Sequence, residues 1–148
     1  MSNLGFQIRG NSNNPFHLSV GIVVKDSDNR VALIRKNNSY FTIPRETMYL
    51  SESVENTLKR EAAEELGIEI YVDKFLGSLV THFKRPDGTD IEKTTTYFLA
   101  KKGVDKKRNP ETDEMDDEIV WVDLKKAIQE LRDCENPEYK ILERVFLS

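Results

Sequence analysis

Apolar and polar positions fall into short blocks that mostly predict strands, with helical spacing in three places. Residues 17–24, His-Leu-Ser-Val-Gly-Ile-Val-Val, are a β-branched apolar run and predict a buried strand. Asp26-Ser-Asp-Asn29 is a turn cluster, and residues 31–34 predict a second strand, so the pair should form a hairpin. Residues 40–43 predict a brief strand stopped by Pro44, which has no N–H to donate. A loop over 44–51 then leads to a helix. Residues 68–83 read as strand, with a break near Asp73-Lys74 or Gly77. Arg85-Pro-Asp-Gly-Thr89 is a turn in which Pro86 presets φ and Gly88 tolerates positive φ, and residues 92–100 return as the partner strand. A strand over 119–122 precedes a helix over 124–131 that places Leu124, Ala127, Ile128 and Leu131 on one face. Asn136-Pro137-Glu138 is a cap and first turn for a last helix, docked through Tyr139, Leu142, Val145 and Phe146. This order predicts an α/β fold, a mixed sheet between helices. Residues 1–14 are polar and read as a loose arm or an edge strand.

The stretch with the most chemistry is the helix predicted between Ser53 and Gly67. Ser51 or Ser53 can cap it, Glu, Lys, Ala and Leu favour it, and Gly67 ends it. At about 100° per residue, Glu61, Glu64 and Glu65 share one arc while Leu58, Ala62 and Leu66 face the core. Like charges at this spacing repel by a few tenths of a kcal/mol. A divalent cation is the simplest compensation, since Mg²⁺ takes one or two carboxylates together with phosphates and water.

From Glu52 the chain reads Glu, seven residues, then Arg60-Glu61-Ala62-Ala63-Glu64-Glu65-Leu66-Gly67-Ile68. This resembles the Nudix box, Gly-x5-Glu-x7-Arg-Glu-U-x-Glu-Glu-x-Gly-U with U a bulky aliphatic, at seven of its nine specified positions. The departures are Ala62, in place of a larger aliphatic, and Glu46, in place of the first Gly. A Gly is often needed where φ is positive or where backbone meets a ligand closely. The resemblance implies an α/β/α sandwich and a hydrolase that cleaves a pyrophosphate bond in a nucleoside diphosphate linked to another group. It implies Mg²⁺ or Mn²⁺ held by Glu61, Glu64 and Glu65, with Glu52 as an additional or outer ligand. Glu64 or Glu65 would also carry the proton transfer, and Arg60 would pair with a box carboxylate and hold the loop. A further carboxylate is expected from Glu111, Asp113 or Glu114. Pro44-Arg45 and the strand beginning at Lys93 are similar to the dinucleoside-polyphosphate branch. Arg35, Arg45 and Tyr97 are candidate substrate contacts. The alternative is a nucleotide-binding or regulatory module with weak turnover, motivated by Glu46.

Composition narrows the classes further. A chain of 148 residues fits one domain, and 38% hydrophobic with 32% charged residues suits a soluble protein. No apolar run approaches the roughly 20 residues of a membrane span, and the first residues lack a signal peptide's regions, so a cytoplasmic protein is expected. A net charge of −4 argues against general nucleic-acid binding. The single cysteine, Cys134, excludes an intrachain disulfide and a cysteine-based zinc site. The expected partner is a small nucleotide, and a homodimer is an allowed assembly.

Overall fold

The computed structural model describes residues 6–109 and 117–147. Seven strands form one mixed sheet: β1 (Phe16–Lys25), β2 (Arg30–Lys36), β3 (Tyr40–Thr42), β4 (Arg45–Thr47), β5 (Ile68–Lys84), β6 (Asp90–Asp105) and β7 (Glu118–Asp123). The main order is β3-β2-β1-β6-β5, with β4 on β1 and β7 on β2. The helices are α1 (Val54–Glu61), α2 (Leu124–Asp133) and α3 (Tyr139–Glu143).

Period-2 alternation divides the core between the two sheet faces. Val20, Ile22 and Val24 of β1, with Ala32 and Ile34 of β2, pack against Leu58, Ala62 and Leu66 of the Glu-rich helix. Val23, Val31, Leu33, Tyr97 and Leu99 face the other way, onto Leu124, Ala127, Ile128 and Leu131 of α2 and Ile141 and Leu142 of α3. Helices on both faces make the expected α/β/α sandwich. Each leucine fully buried here contributes about 1.5–3 kcal/mol. No helix among the described residues is long and apolar enough to cross a membrane.

The expected hairpin is real but short. β1 meets β2 only at Lys25 and Val31, and the strands then splay apart. β1 instead runs parallel to β6 along its whole length, from Phe16↔Glu92 to Lys25↔Lys101. The opening between β1 and β2 is filled by β4, which pairs Ser19, Val20 and Gly21 with Thr47, Glu46 and Arg45. Ile22 N–H also donates to the Pro44 carbonyl at 2.9 Å. The stretch 44–51, predicted as loop, therefore contains a strand. Its three residues carry no apolar alternation, so β1's backbone imposes the extended form.

Residues 68–83 form one strand, not two, and the predicted break appears as register shifts at Val72/Lys74 and Phe75/Gly77. The last helix is docked by Ile141, Leu142 and Val145, with Tyr139 packed at its edge, whereas Phe146 is exposed. From Phe6 onward the N-terminal arm is tied down: Ile8 N–H donates to Met48 O (2.8 Å) and Leu50 N–H to Phe6 O (2.9 Å).

His17 is buried where this arm crosses β1. Its Nδ1 accepts the Gly10 N–H at 3.2 Å, and its Nε2 lies 3.2 Å from Thr47 Oγ1. Protonation would set one N–H against another. Burial, reinforced by Lys93, lowers this imidazole from 6.5 to about 4. The unfolded chain then binds more protons between those values, so stability should fall as pH drops through that window. We expect a loss of about 2 kcal/mol between pH 7.5 and pH 5 in chemical denaturation. His17→Gln should flatten the slope; an unchanged slope would remove His17 as its cause.

Candidate active site

Ser53 caps α1, its hydroxyl accepting the Asn56 N–H at 3.2 Å. The helix predicted through residue 66 is α-helical only to Glu61; Ala62–Leu66 is wound as a π-helical turn, closed by Gly67 at φ 67°. Single π turns inside α-helices often occur at functional sites. Leu58, Ala62 and Leu66 face the core as expected. Glu61 and Glu65 are also buried, each 2% exposed.

Both carboxylates line a cavity of about 130 Å³ at the splay between β1 and β2. Lys36 from the end of β2, Arg45 from β4 and Lys93 from β6 supply its cations, and Ile34, Thr42 and Pro44 complete the wall. Lys36 Nζ is 2.6 Å from Asp117 Oδ2. Burial, with Arg45 beside it, pulls the Lys93 amine down from 10.5 to about 8. Arg108 reaches Glu65 twice: Nε donates to the backbone carbonyl at 2.6 Å and Nη2 to Oε1 at 2.9 Å. Glu64 is less enclosed, its side chain 32% exposed and its Oε2 3.7 Å from Arg60 Nη1.

Beside the cavity, Arg60 gathers the remaining box carboxylates. Its Nε and Nη2 bind Glu52 Oε2 and Oε1 at 2.9 and 2.8 Å, a two-point pair that Thr57 Oγ1 extends by donating to Oε1 at 2.8 Å. Nη1 donates to Glu46 Oε2 at 3.1 Å, and the Tyr49 ring lies 5.0 Å from the guanidinium carbon. Hydrogen bonds from Arg60 hold Glu52 below the usual carboxylate range, and those to Glu52 raise Arg60 above its own. Glu46, the residue in place of the box glycine, is buried at 8% exposure and also accepts the Thr47 N–H at 2.9 Å. It belongs to β4 and is not among the residues with positive φ. The backbone conformation at this position therefore does not require glycine.

The other sequence candidates are distributed around this core. Arg35 donates to Glu118 Oε2 across β2 and β7, with Nε at 3.0 Å, and stacks on Phe41. It does not line the cavity, whereas its neighbour Lys36 does. Tyr97 is 1% exposed, and its hydroxyl donates to Glu138. Tyr97 and Arg45 both line a second cavity of about 260 Å³ with Tyr40, Leu79, Cys134 and Asn136. Burial pushes the Tyr97 phenol above its ordinary value. Glu111, Asp113 and Glu114 lie outside the described residues. Sequence reasoning does not single out Lys93 as a site residue, and it reads Arg108, with Lys101, Lys102, Lys106 and Lys107, as a solvated basic patch rather than a partner of Glu65. For Lys93 a signal was available: alternation puts it on the same strand face as Ile91, Thr95 and Tyr97, all buried. A lysine in that series is out of place unless it has a task.

Among the described residues no three Asp, Glu, His or Cys side chains converge to hold a metal ion. Two carboxylates do open on one cavity, and that donor set fits Mg²⁺, which completes its shell with phosphate and water oxygens. Comparison with curated proteins gave no match. A NUDIX hydrolase from Nitrosomonas europaea is similar in structure, with a TM-score of 0.67 over 88% of each chain and 17% identity, a likeness of fold. The NUDIX domain family matches residues 15–145, nearly the whole chain, and with the box described above this places the protein in the NUDIX family.

Proposed function

We propose that this NUDIX protein is a divalent-metal-dependent pyrophosphohydrolase acting on a nucleoside diphosphate linked to a second group, with dinucleoside polyphosphates among the candidates. The observation that carries this reading is one cavity holding Glu61 and Glu65 together with Lys36, Arg45 and Lys93. Anionic phosphates need cations, and a cation bound to those phosphates needs carboxylates; this cavity has both. Glu61 and Glu65 would hold Mg²⁺ or Mn²⁺, which when bound neutralises phosphate charge and acidifies water. Glu64 or Glu65 would accept the proton of the attacking water. Arg60 would act on the chemistry indirectly, fixing Glu52, Glu46 and the loop that carries Arg45. With both its oxygens bound to Arg60, Glu52 serves this reading as an anchor of the helix start. Arg45 and the basic wall would orient the phosphates. Nucleotide or phosphate release from nucleotide sugars, dinucleoside polyphosphates and oxidised nucleotides, with Mg²⁺ and with Mn²⁺, tests it. A panel with no turnover above the metal-free blank would sink it.

The second reading, a binding module with weak turnover, draws on Arg108, whose guanidinium already holds Glu65. Glu46→Gly separates the two. On the hydrolase reading kcat does not rise, and stability falls by about 1–3 kcal/mol, through a lost charged hydrogen bond and a glycine in a strand. A kcat gain of about tenfold would instead show that residue 46 holds the site in an unproductive form.

A further inference from the structure

Two cations in the cavity are notable for what they lack. Among the described residues the Lys93 side chain has no hydrogen bond or ion pair, and the Arg45 side chain has only Glu138, with Nε 3.8 Å from Oε2. Both side chains are half-buried, so their donors are open to whatever enters the cavity. Glu138 supplies the attraction that Lys93 does feel, yet that carboxylate is otherwise engaged. Its Oε1 accepts from Ile43 N–H at 2.8 Å and Asn136 Nδ2 at 2.9 Å, and its Oε2 accepts the Tyr97 hydroxyl. Arg45, Arg9 and Lys36 all oppose the charge on Lys93. Two adjacent cations with free donors on one cavity wall are disfavoured unless an anion joins them.

We propose that Lys93 and Arg45 form a phosphate anchor that grips one phosphate of the substrate directly, without the divalent ion. The anchor rests on the hydrolase reading only for the identity of its anion. Arg45 lines both the carboxylate cavity and the 260 Å³ cavity beside it. An anion on Arg45 therefore sits at their junction, with Glu61 and Glu65 in one direction. The organic group attached to it can enter the space beside Tyr40, Leu79 and Asn136 in the other. Lys93 reaches this junction from β6, a strand tied to β1 over ten consecutive residue pairs, so its Cα is rigidly placed.

Titration calorimetry with inorganic pyrophosphate in EDTA, on the full chain at pH 7, is the test. The wild type should bind, and Lys93→Met and Arg45→Met should each weaken binding about tenfold or more, the scale of one charged hydrogen bond. Lys93→Arg should bind within about threefold of wild type, since charge and donors remain. Without pyrophosphate, Lys93→Met should melt at or above the wild-type temperature, because it removes an uncompensated ammonium. Wild type that fails to bind in EDTA, equal affinity in Lys93→Met, or a lower melting temperature for that variant would overturn the anchor. If Lys93→Met does not fold, the anchor is likewise overturned, because Lys93 would then be structural. Absence of turnover on every substrate would sink the hydrolase reading and leave these binding outcomes standing.

Discussion

Arg60→Met should lower folding stability by about 3–5 kcal/mol, the cost of leaving buried charge uncompensated. The guanidinium is the shared partner of Glu52 and Glu46, whose side chains are 4% and 9% exposed. Glu52 would keep Thr57 and Glu46 would keep the Thr47 N–H, but neither donor is charged. Both carboxylates would then lose the one cation they share. Urea denaturation at pH 7 measures the loss, and lowering the pH should reduce it. Arg60 holds Glu52 below its ordinary 4.5, so its stabilisation is present above that value and is lost as pH falls through the lowered one. The gap between variant and wild type therefore narrows below about pH 4.5. A variant within 1 kcal/mol of wild type at pH 7 would mean that the network holds no net energy.

Glu65→Gln should cut turnover at least about 100-fold, the usual scale for losing a positioned acid–base or metal-binding group. The substitution keeps the shape of the side chain, and the amide oxygen can still accept from Arg108. What it removes is one of the two carboxylate charges in the cavity. A second readout separates chemistry from folding. At a metal concentration of 100 times its dissociation constant, specific binding stabilises the native state by about 2.7 kcal/mol. Saturating Mg²⁺ should raise the wild-type melting temperature and leave Glu65→Gln nearly unmoved. Unchanged turnover, or an unchanged response to metal, would remove Glu65 from the site.

Much of the architecture was written in local patterns. Leu124, Ala127, Ile128 and Leu131 recur at helical spacing, and all four are buried. Gly77 and Asp73-Lys74 disturb the alternation of one long strand, and the ladder shifts register at those places. The order of strands was less legible, because β1 and β6 pair in parallel across a separation of 76 residues. No local signal encodes such a pairing. β4 was hidden for a different reason: Arg45, Glu46 and Thr47 have no apolar face, and β1 holds them by backbone alone.

The site followed the same division. Fixed offsets in the sequence found Glu61, Glu64 and Glu65, but spacing alone could not say that Glu64 stays more open while the other two are enclosed. It also could not predict that Glu46 would turn inward to Arg60, since that depends on β4 lying on β1. Lys93 and Arg108 come from outside the box, and chain folding alone brings them to it.

The π-wound segment at Ala62–Leu66 has a consequence for how this stretch tolerates change. A helix that holds one residue more than its hydrogen-bond ladder needs is sensitive to length as well as to identity. Excising Ala63 would let the ladder close in the ordinary α form and absorb the loss within that turn, leaving Leu58 and Glu65 near their present bearings. A deletion earlier in α1 has no such slack: it would turn Glu65 by about 100° around the axis and away from the cavity, with nearly every letter of the motif kept.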